Sequence, residues 1–506
     1  MEDHTHEPES RLSHVSLIKI LGSLAVSAFW VCSVWGFWEH GPDALGLSAA
    51  VYLFLLVSLF LWLLRERGAS LKENLYWIVP VGLMCLSFCL YDNPFLKVIT
   101  MLVLPALAIG FYILETIPGG RRLTWDARLI SRIVLRALSA VAFIPQAFHD
   151  FGRLLSQGAG MRKSTTKRVL VGLALFFVIA LTIVLPLLSS ADAAFAARTD
   201  RLLDWFRSLF DTTIAARVLF GLFLATVTLT GLLAWGRSLH FEETRIEDLK
   251  AIDPIVTGIV LGGTLLLYLL FLGVQLEKLW VGSLPFDFAE TVYLVKSGFW
   301  QLFFLSVINI AIFFLTYRRT IPAVQHILTA FTAASLLLLA SAGHRMVLYV
   351  TYYGFSYEKV FAAYVVIFCA VLFVWLITRM FAVRRANILK FLVVLFMWMF
   401  AVATVLPVEQ FILRANVALA RLPDSRIRLY ELTMLSPDVL GTVRQFRAAG
   451  KLEEVNAAYV SGPESVSAEI REQLDHPDWQ PWIDRQQERV ASKVWYELTL
   501  SDLLNR

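Results

Sequence analysis

Long apolar runs separated by short polar breaks dominate the chain. A helix rises about 1.5 Å per residue, so a hydrocarbon core of about 30 Å takes roughly 20 apolar residues, with every backbone donor and acceptor satisfied inside the segment. Eleven stretches meet this requirement. They run approximately from Ser16 to Phe37, Leu45 to Leu64, Leu75 to Tyr91, Phe95 to Glu115, Val169 to Leu188, Val218 to Trp235, Ile255 to Val274, Gly298 to Tyr317, Ile321 to Gly343, Val360 to Met380 and Ile388 to Val408. The pattern predicts an all-α integral membrane protein with about eleven transmembrane helices: a short tail over residues 1–15, a polytopic domain over 16–408, and a small α-helical C-terminal domain over 409–506.

Between the fourth and fifth runs, residues 117–168 break the rhythm. Ile133 to Phe148 is apolar enough to imitate a span, but Ile130, Ile133, Val134, Ala137, Leu138 and Val141 share one helical face while Arg128, Arg132 and Arg136 line another. A helix so divided lies in the headgroup plane, and crossing the bilayer would bury Arg136. The expectation is a basic amphipathic segment held by anionic lipid at the cytoplasmic face.

After Val408 no run is long enough to span. Ser436-Pro437-Asp438 forms a helix start, with a hydroxyl cap, proline at the first helical position and an acid facing the dipole. Gly450 supplies a stop, and further helices are expected from Ser465 to Leu474 and from Pro481 to Leu500, the latter with Trp482, Val490, Val494 and Leu498 near helical spacing.

Composition supports the same class: the chain is 58% hydrophobic and 17% charged, with 37 Phe and 15 Trp. Cys32, Cys85, Cys89 and Cys369 all lie in apolar runs, which argues against disulfides and structural zinc. No small-residue cleavage site follows the first run, so it reads as a retained helix. Counted between the spans, 21 Lys and Arg fall on the side of the N-terminus and 8 on the other before the tail. The excess of basic residues places the N-terminus in the cytoplasm and, by parity, the C-terminal domain outside. The net charge of +5 is distributed as a membrane protein distributes it and does not indicate nucleic-acid binding.

Catalytic signatures are missing: the sequence contains no HExxH, GxSxG or strand-associated GxGxxG, and Gly158-Ala-Gly-Met-Arg-Lys163-Ser164 lacks the glycine a phosphate loop needs at Arg162. His4 and His6 have no neighbours that complete a metal site. No cofactor is expected. Polar groups at the ends of the spans are the better lead, because they are costly in hydrocarbon and persist where they face protein or water. Three outer connections carry them: Asp192, Arg198 and Asp200; Gln275, Glu277, Lys278 and Glu290; and His344, Arg345 and Glu358. If its helix continues, Arg345 shares a face with Tyr349 and Tyr353. The candidate extracytoplasmic cluster is therefore Asp192, Gln275, Glu290, Arg345, Tyr349 and Tyr353, with Arg345 pairing with Asp192 or Glu290. Ordinary interfacial anchoring is the competing account. Asn309 and His326 lie deeper in their helices, and Gly258 and Gly262 have the spacing of a close helix contact.

Several stretches together resemble a bacterial polytopic family. They are Pro186-Leu-Leu-Ser-Ser-Ala-Asp192 with Phe195, Val274-Gln275-Leu276 with Leu279-Trp280, Gly298-Phe-Trp-Gln-Leu302, and Arg345-Met-Val-Leu-Tyr349 running on to Tyr353-Gly-Phe-Ser356. Tyr91-Asp-Asn-Pro94-Phe-Leu96 and Leu435-Ser-Pro-Asp438 are similar to the family's early loop and its tail. The likeness is to domain-of-unknown-function family 4173, with its sister family 4153, over about Asn74 to Asp438. Lys359 stands where that family usually has arginine, and its Ala-Glu-Tyr element is matched loosely by Ala289-Glu290 and Tyr293. The resemblance implies a many-pass protein of the bacterial inner membrane and supplies no reaction. The functional expectation is a non-enzymatic sensing, scaffolding or accessory component, with a membrane protein as its possible partner. The alternatives are a small-solute transporter or channel and a transferase acting on a lipid-linked substrate.

Overall fold

A computed structural model describes residues 14–66, 74–117, 125–158, 212–236, 252–279, 304–382, 387–422, 432–452 and 479–505, apart from isolated positions within these ranges. All regular elements among the described residues are helical. The first half holds α1 (His14–Ser33), α2 (Phe37–His40), α3 (Leu47–Arg65), α4 (Leu75–Leu90), α5 (Pro94–Glu115), α6 (Ala127–Leu138), α7 (Ile144–Gly158), α8 (Thr212–Trp235) and α9 (Pro254–Leu279). The second half holds α10 (Phe304–Thr316), α11 (Pro322–Tyr353), α12 (Tyr357–Met380), α13 (Ile388–Val405) and α14 (Val408–Leu419), followed by α15 (Leu440–Ala448), α16 (Trp479–Ser492) and α17 (Leu500–Asn505).

Among the described residues eight helical stretches are long and apolar enough to cross a membrane, and three shorter apolar helices accompany them. The shorter ones coincide with the runs expected from Ser16, Leu75 and Gly298. One of the eight, Leu129–Leu154, is the segment whose arginines place it in the headgroup plane by sequence. It is not one straight helix: α6 and α7 meet at a 3-10 turn over Ser139–Phe143. Val134, Leu135, Leu138, Val141 and Phe148 are exposed along it, as is Arg132, while Leu129 and Ala147 are buried. Arg136 is half-buried. The joint packs on the last turn of α8, where the Trp235 indole donates to Ala137 O at 3.1 Å. The run expected from Val169 to Leu188 lies outside the described residues.

α1 packs on α3 and α8, α4 on α3 and α13, and α11 on both α9 and α12. Many hydroxyls inside these helices return to carbonyls three or four residues earlier, as Ser27 does to Ser23 O (2.7 Å) and Thr332 to Leu328 O (2.7 Å), which satisfies those donors within their own helix. Asn309 ties three helices: its Oδ1 accepts from the Tyr268 hydroxyl (2.7 Å) and its Nδ2 donates to Ser335 Oγ (2.9 Å). A side chain engaged in this way is interhelical glue, not a free relay group. Gly258 faces Val324 of α11, and among the described residues nothing lies within 4 Å of a Cβ added at Gly262, so there the glycine pair does not form a two-point contact.

The C-terminal segment does not close on itself alone. Ile412, Leu413, Val439, Leu440, Val443, Trp479, Trp482 and Ile483 share an apolar cluster against which Phe355, Tyr357 and Val360 of the spanning bundle pack. Ser436 caps as expected, its hydroxyl accepting from Asp438 N, though the first turn is 3-10 over Pro437–Val439. Gly450 ends the helix with φ +66°. Where the sequence suggests one helix from Pro481 to Leu500, there are two. Thr499 and Asp502 form a reciprocal capping box, with Asp502 N donating to Thr499 Oγ1 (3.1 Å) and Thr499 N to Asp502 Oδ2 (2.9 Å), and this starts a new helix. The expected helix from Ser465 to Leu474 lies outside the described residues.

Candidate functional site

Lys97 lies one turn into an apolar helix, where an unpaired ammonium would be costly. The chain solves this locally and then at long range. Asn93 caps α5, its Oδ1 accepting from Leu96 N (3.0 Å), and the three-residue break it closes leaves Asp92 pointing inward. Asp92 is fully buried; its Oδ1 meets Lys97 Nζ at 2.7 Å and its Oδ2 meets Lys493 Nζ at 2.7 Å. Lys493 also reaches Asp502 Oδ2 at 2.9 Å. The backbone N–H of Asp92 donates to both carboxylate oxygens of Asp438 at 2.8 Å. Residues separated by more than 400 positions thus form one buried ionic hub.

Next to the hub, Glu409 accepts from Ser436 N (2.9 Å), from the Ser436 hydroxyl and from the hydroxyl of Tyr357, which in turn accepts from Asn93 Nδ2 (3.3 Å). Asn505 closes the other flank, donating to Pro437 O (3.0 Å) and accepting from Gly441 N (2.9 Å). A second seam runs beside it: Leu47 N and Ser48 N donate to Leu498 O (3.2 Å) and Tyr496 O (2.8 Å), and Asp43 pairs with Arg489. Gly46 is required there, because the Glu497 carbonyl occupies the space a Cβ would take.

Electrostatics divides the carboxyls into two kinds. Burial alone would raise the Asp92 pKa, but the two lysines outweigh it and hold the group below its ordinary value. Lys493 is raised, since Asp92 and Asp502 overcome its burial. Burial, reinforced by the Asp92 charge, pushes Asp438 up to about 6. Glu409 is raised well above the usual range by burial first and then by Asp438.

The described residues cover the sequence-derived cluster only in part. Asp192 and Glu290 lie outside the described residues, and Gln275 lies on α9 with its side chain outside them, so the pairing of Arg345 with either acid is not among the described contacts. Arg345, Tyr349 and Tyr353 do lie on one continuous helix, α11, which runs past the expected end at Gly343. All three are half-buried, and the two tyrosine rings lie 5.1 Å apart. Lys359 rests 4.6 Å over the Tyr349 ring and donates to Tyr353 O (3.1 Å) and Gly354 O (2.6 Å), neutralising the helix end. Gly354, with φ +71°, ends α11, and Asn416 clasps the following residue, accepting from Phe355 N (2.6 Å) and donating to Phe355 O (2.9 Å). The tyrosine-glycine motif is therefore a docking point for α14. At the opposite end of α11, His326 and Gln325 line a half-open cleft of ≈ 380 Å³ with Tyr317, Thr320, Met380 and Phe381.

The sequence does not single out Lys493, Asp502 or Glu409, and it offers Asp92 only within a resemblance motif and Asp438 only as a helix-start acid and a resemblance residue. The available signal was a lysine inside an apolar run five residues after an acid. Among the described residues no group of histidine, cysteine and carboxylates is arranged to hold a metal.

The fold and this site define a protein whose described elements are all helical, with membrane-length apolar helices and a C-terminal segment ionically locked to one end of them. The chain belongs to the family described as a domain of unknown function (DUF4153), whose model matches residues 78–445. Of the two sister families that the sequence resembles, this is 4153; the likeness to 4173 is not what the match shows. The matched range takes in Asp92, Lys97, Glu409 and Asp438 but ends before Lys493 and Asp502. No curated protein and no solved structure matches the chain.

Proposed function

We propose that the chain is an eleven-span protein of the bacterial inner membrane that works as a non-enzymatic sensing or scaffolding component, its C-terminal segment latched to the extracytoplasmic ends of the helices. The observation that carries this reading is the convergence on the hub. The break at residues 91–93 meets Asp438 of the chain after Pro407 in the hub itself, the break at 41–46 meets residues 496–498 beside it, and the break at 354–356 is clasped by Asn416 of the same C-terminal segment. Parity over eleven spans gives these same segments a common side, and the basic residues make that side the outer one. The hub favours a structural or sensing role over catalysis, because its two lysines are spent on Asp92 and Asp502 beneath the surface. On the inner side, the exposed apolar residues of α6 and α7 beside Arg128, Arg132 and Arg136 fit a segment resting on anionic lipid.

A reporter active only outside the cytoplasm, fused after Arg506, should work, and affinity purification of the full chain should recover a membrane protein in fixed ratio. A fusion active only in the cytosol overturns the topology; purification of the chain alone in functional form overturns the scaffolding role. The cleft around His326 supports a second reading, passage of a small solute, which solute uptake into liposomes containing the purified chain would favour.

A further inference from the structure

Two lysines and four carboxyls are enclosed together: Lys97 and Lys493 with Asp92, Asp502, Asp438 and Glu409, each under 10% exposed. The lysines are directed at Asp92 and Asp502, and these four groups balance in charge. Asp438 and Glu409, on either side of Ser436, are met instead by neutral donors: the Asp92 N–H, the Ser436 N–H and hydroxyl, and the Tyr357 hydroxyl. Every further ionisation adds an uncompensated charge to a dry site, which costs far more than protonating a carboxyl.

We propose that the carboxyls of Glu409 and Asp438 form a proton-binding site whose occupancy sets how tightly residues 479–505 are held against the spanning helices. The inference rests on the latch reading above and names its ligand. The groups acting on the pair come from every neighbouring element. Asp92 opposes ionisation of both, Lys97 favours that of Asp438, and Asp438 opposes that of Glu409. The side chains of Tyr91 and Tyr357 adjoin the pair, while Lys493 and Asp502 pair across the hub. Both carboxyl pKa values are raised in the closed state, so closed protein binds more protons than open protein. Closure is therefore strongest in mild acid and weakens as pH rises through about 6 for Asp438, with Glu409 extending the loss upward. Asp92, with its lowered pKa, contributes fully throughout that window and fails only in stronger acid.

The test is hydrogen exchange of the full chain in lipid nanodiscs, reading protection of residues 479–505 after correction for the intrinsic pH dependence of exchange. From Asp438 alone, protection should fall about tenfold between about pH 5 and pH 8. The double variant Glu409→Gln with Asp438→Asn, which imitates the protonated pair, should keep its acid-level protection at the higher pH. Equal wild-type protection at both pH values, or a double variant retaining the wild-type slope, overturns the proposal. If the double variant does not fold, the wild-type slope decides alone. Lys493→Ala separates the two levels of inference: if it lowers protection at both pH values while the wild type is flat, the latch stands without the proton. If it changes nothing, the latch itself is wrong.

Discussion

Lys493 shows how much one side chain decides. It bridges Asp92 and Asp502, and its removal strips the buried Asp502 of this cation and leaves Asp92 with Lys97. Breaking a buried pair from one side costs about 3–5 kcal/mol. Lys493→Ala should lower the thermal midpoint of the detergent-solubilised protein by several degrees, whereas the exposed Arg132→Ala should leave it unchanged; equal midpoints for wild type and Lys493→Ala would remove the hub from the stability argument. Asp92 sets the acid limb. Its pKa is lowered on folding, so its contribution is present above the ordinary carboxylate value and is lost as pH falls through the lowered one. Asp92→Asn should therefore lower stability at neutral pH and flatten the acid limb, which a melting series on the acid side checks.

At the scale of elements, breaks matter more than spans. α11 and α12 are separated by three residues, and Gly354 is constrained twice, by its φ of +71° and by Asn416 Oδ1, which would lie 2.7 Å from an added Cβ. Gly354→Ala should destabilise the docking of α14 by more than the roughly 1 kcal/mol typical of backbone strain. Asn416→Ala, which deletes the clasp on Phe355, should act on the same segment. If limited proteolysis near residue 422 is equally slow in wild type and both variants, the clasp contributes nothing. Thr499→Ala removes one half of the capping box, at about 1 kcal/mol, and should loosen α17 without disturbing α16.

For the whole molecule, the tail and bundle share one charge system, so neither is complete alone. Deleting residues 479–506 leaves Asp92 with Lys97 but strips Lys493 from its other oxygen and uncovers Trp-facing apolar surface around Ile412 and Leu440. The truncated chain should insert yet show a lowered melting point and self-association on size exclusion. A truncation that melts and elutes like the full chain would show that the hub is ornamental to the bundle.

The periodicity of the chain determined its helices: spans such as Leu47–Arg65 and Ile388–Val405 are legible because lipid demands length and apolarity, and both are local quantities. The cap at Ser436 and the stop at Gly450 were legible for the same reason, being settled within a turn of chain. The hub was not. A buried carboxylate is defined by which cations reach it, and Asp92 meets Lys493 across 401 positions, a pairing no local spacing encodes. Arg345 and Tyr349 showed the reverse: a persuasive motif on one helix, whose tyrosine is engaged by Lys359 after the turn at Gly354. Sequence chose the elements because their solvent did; tertiary structure chose the site because charge pairing is a property of space.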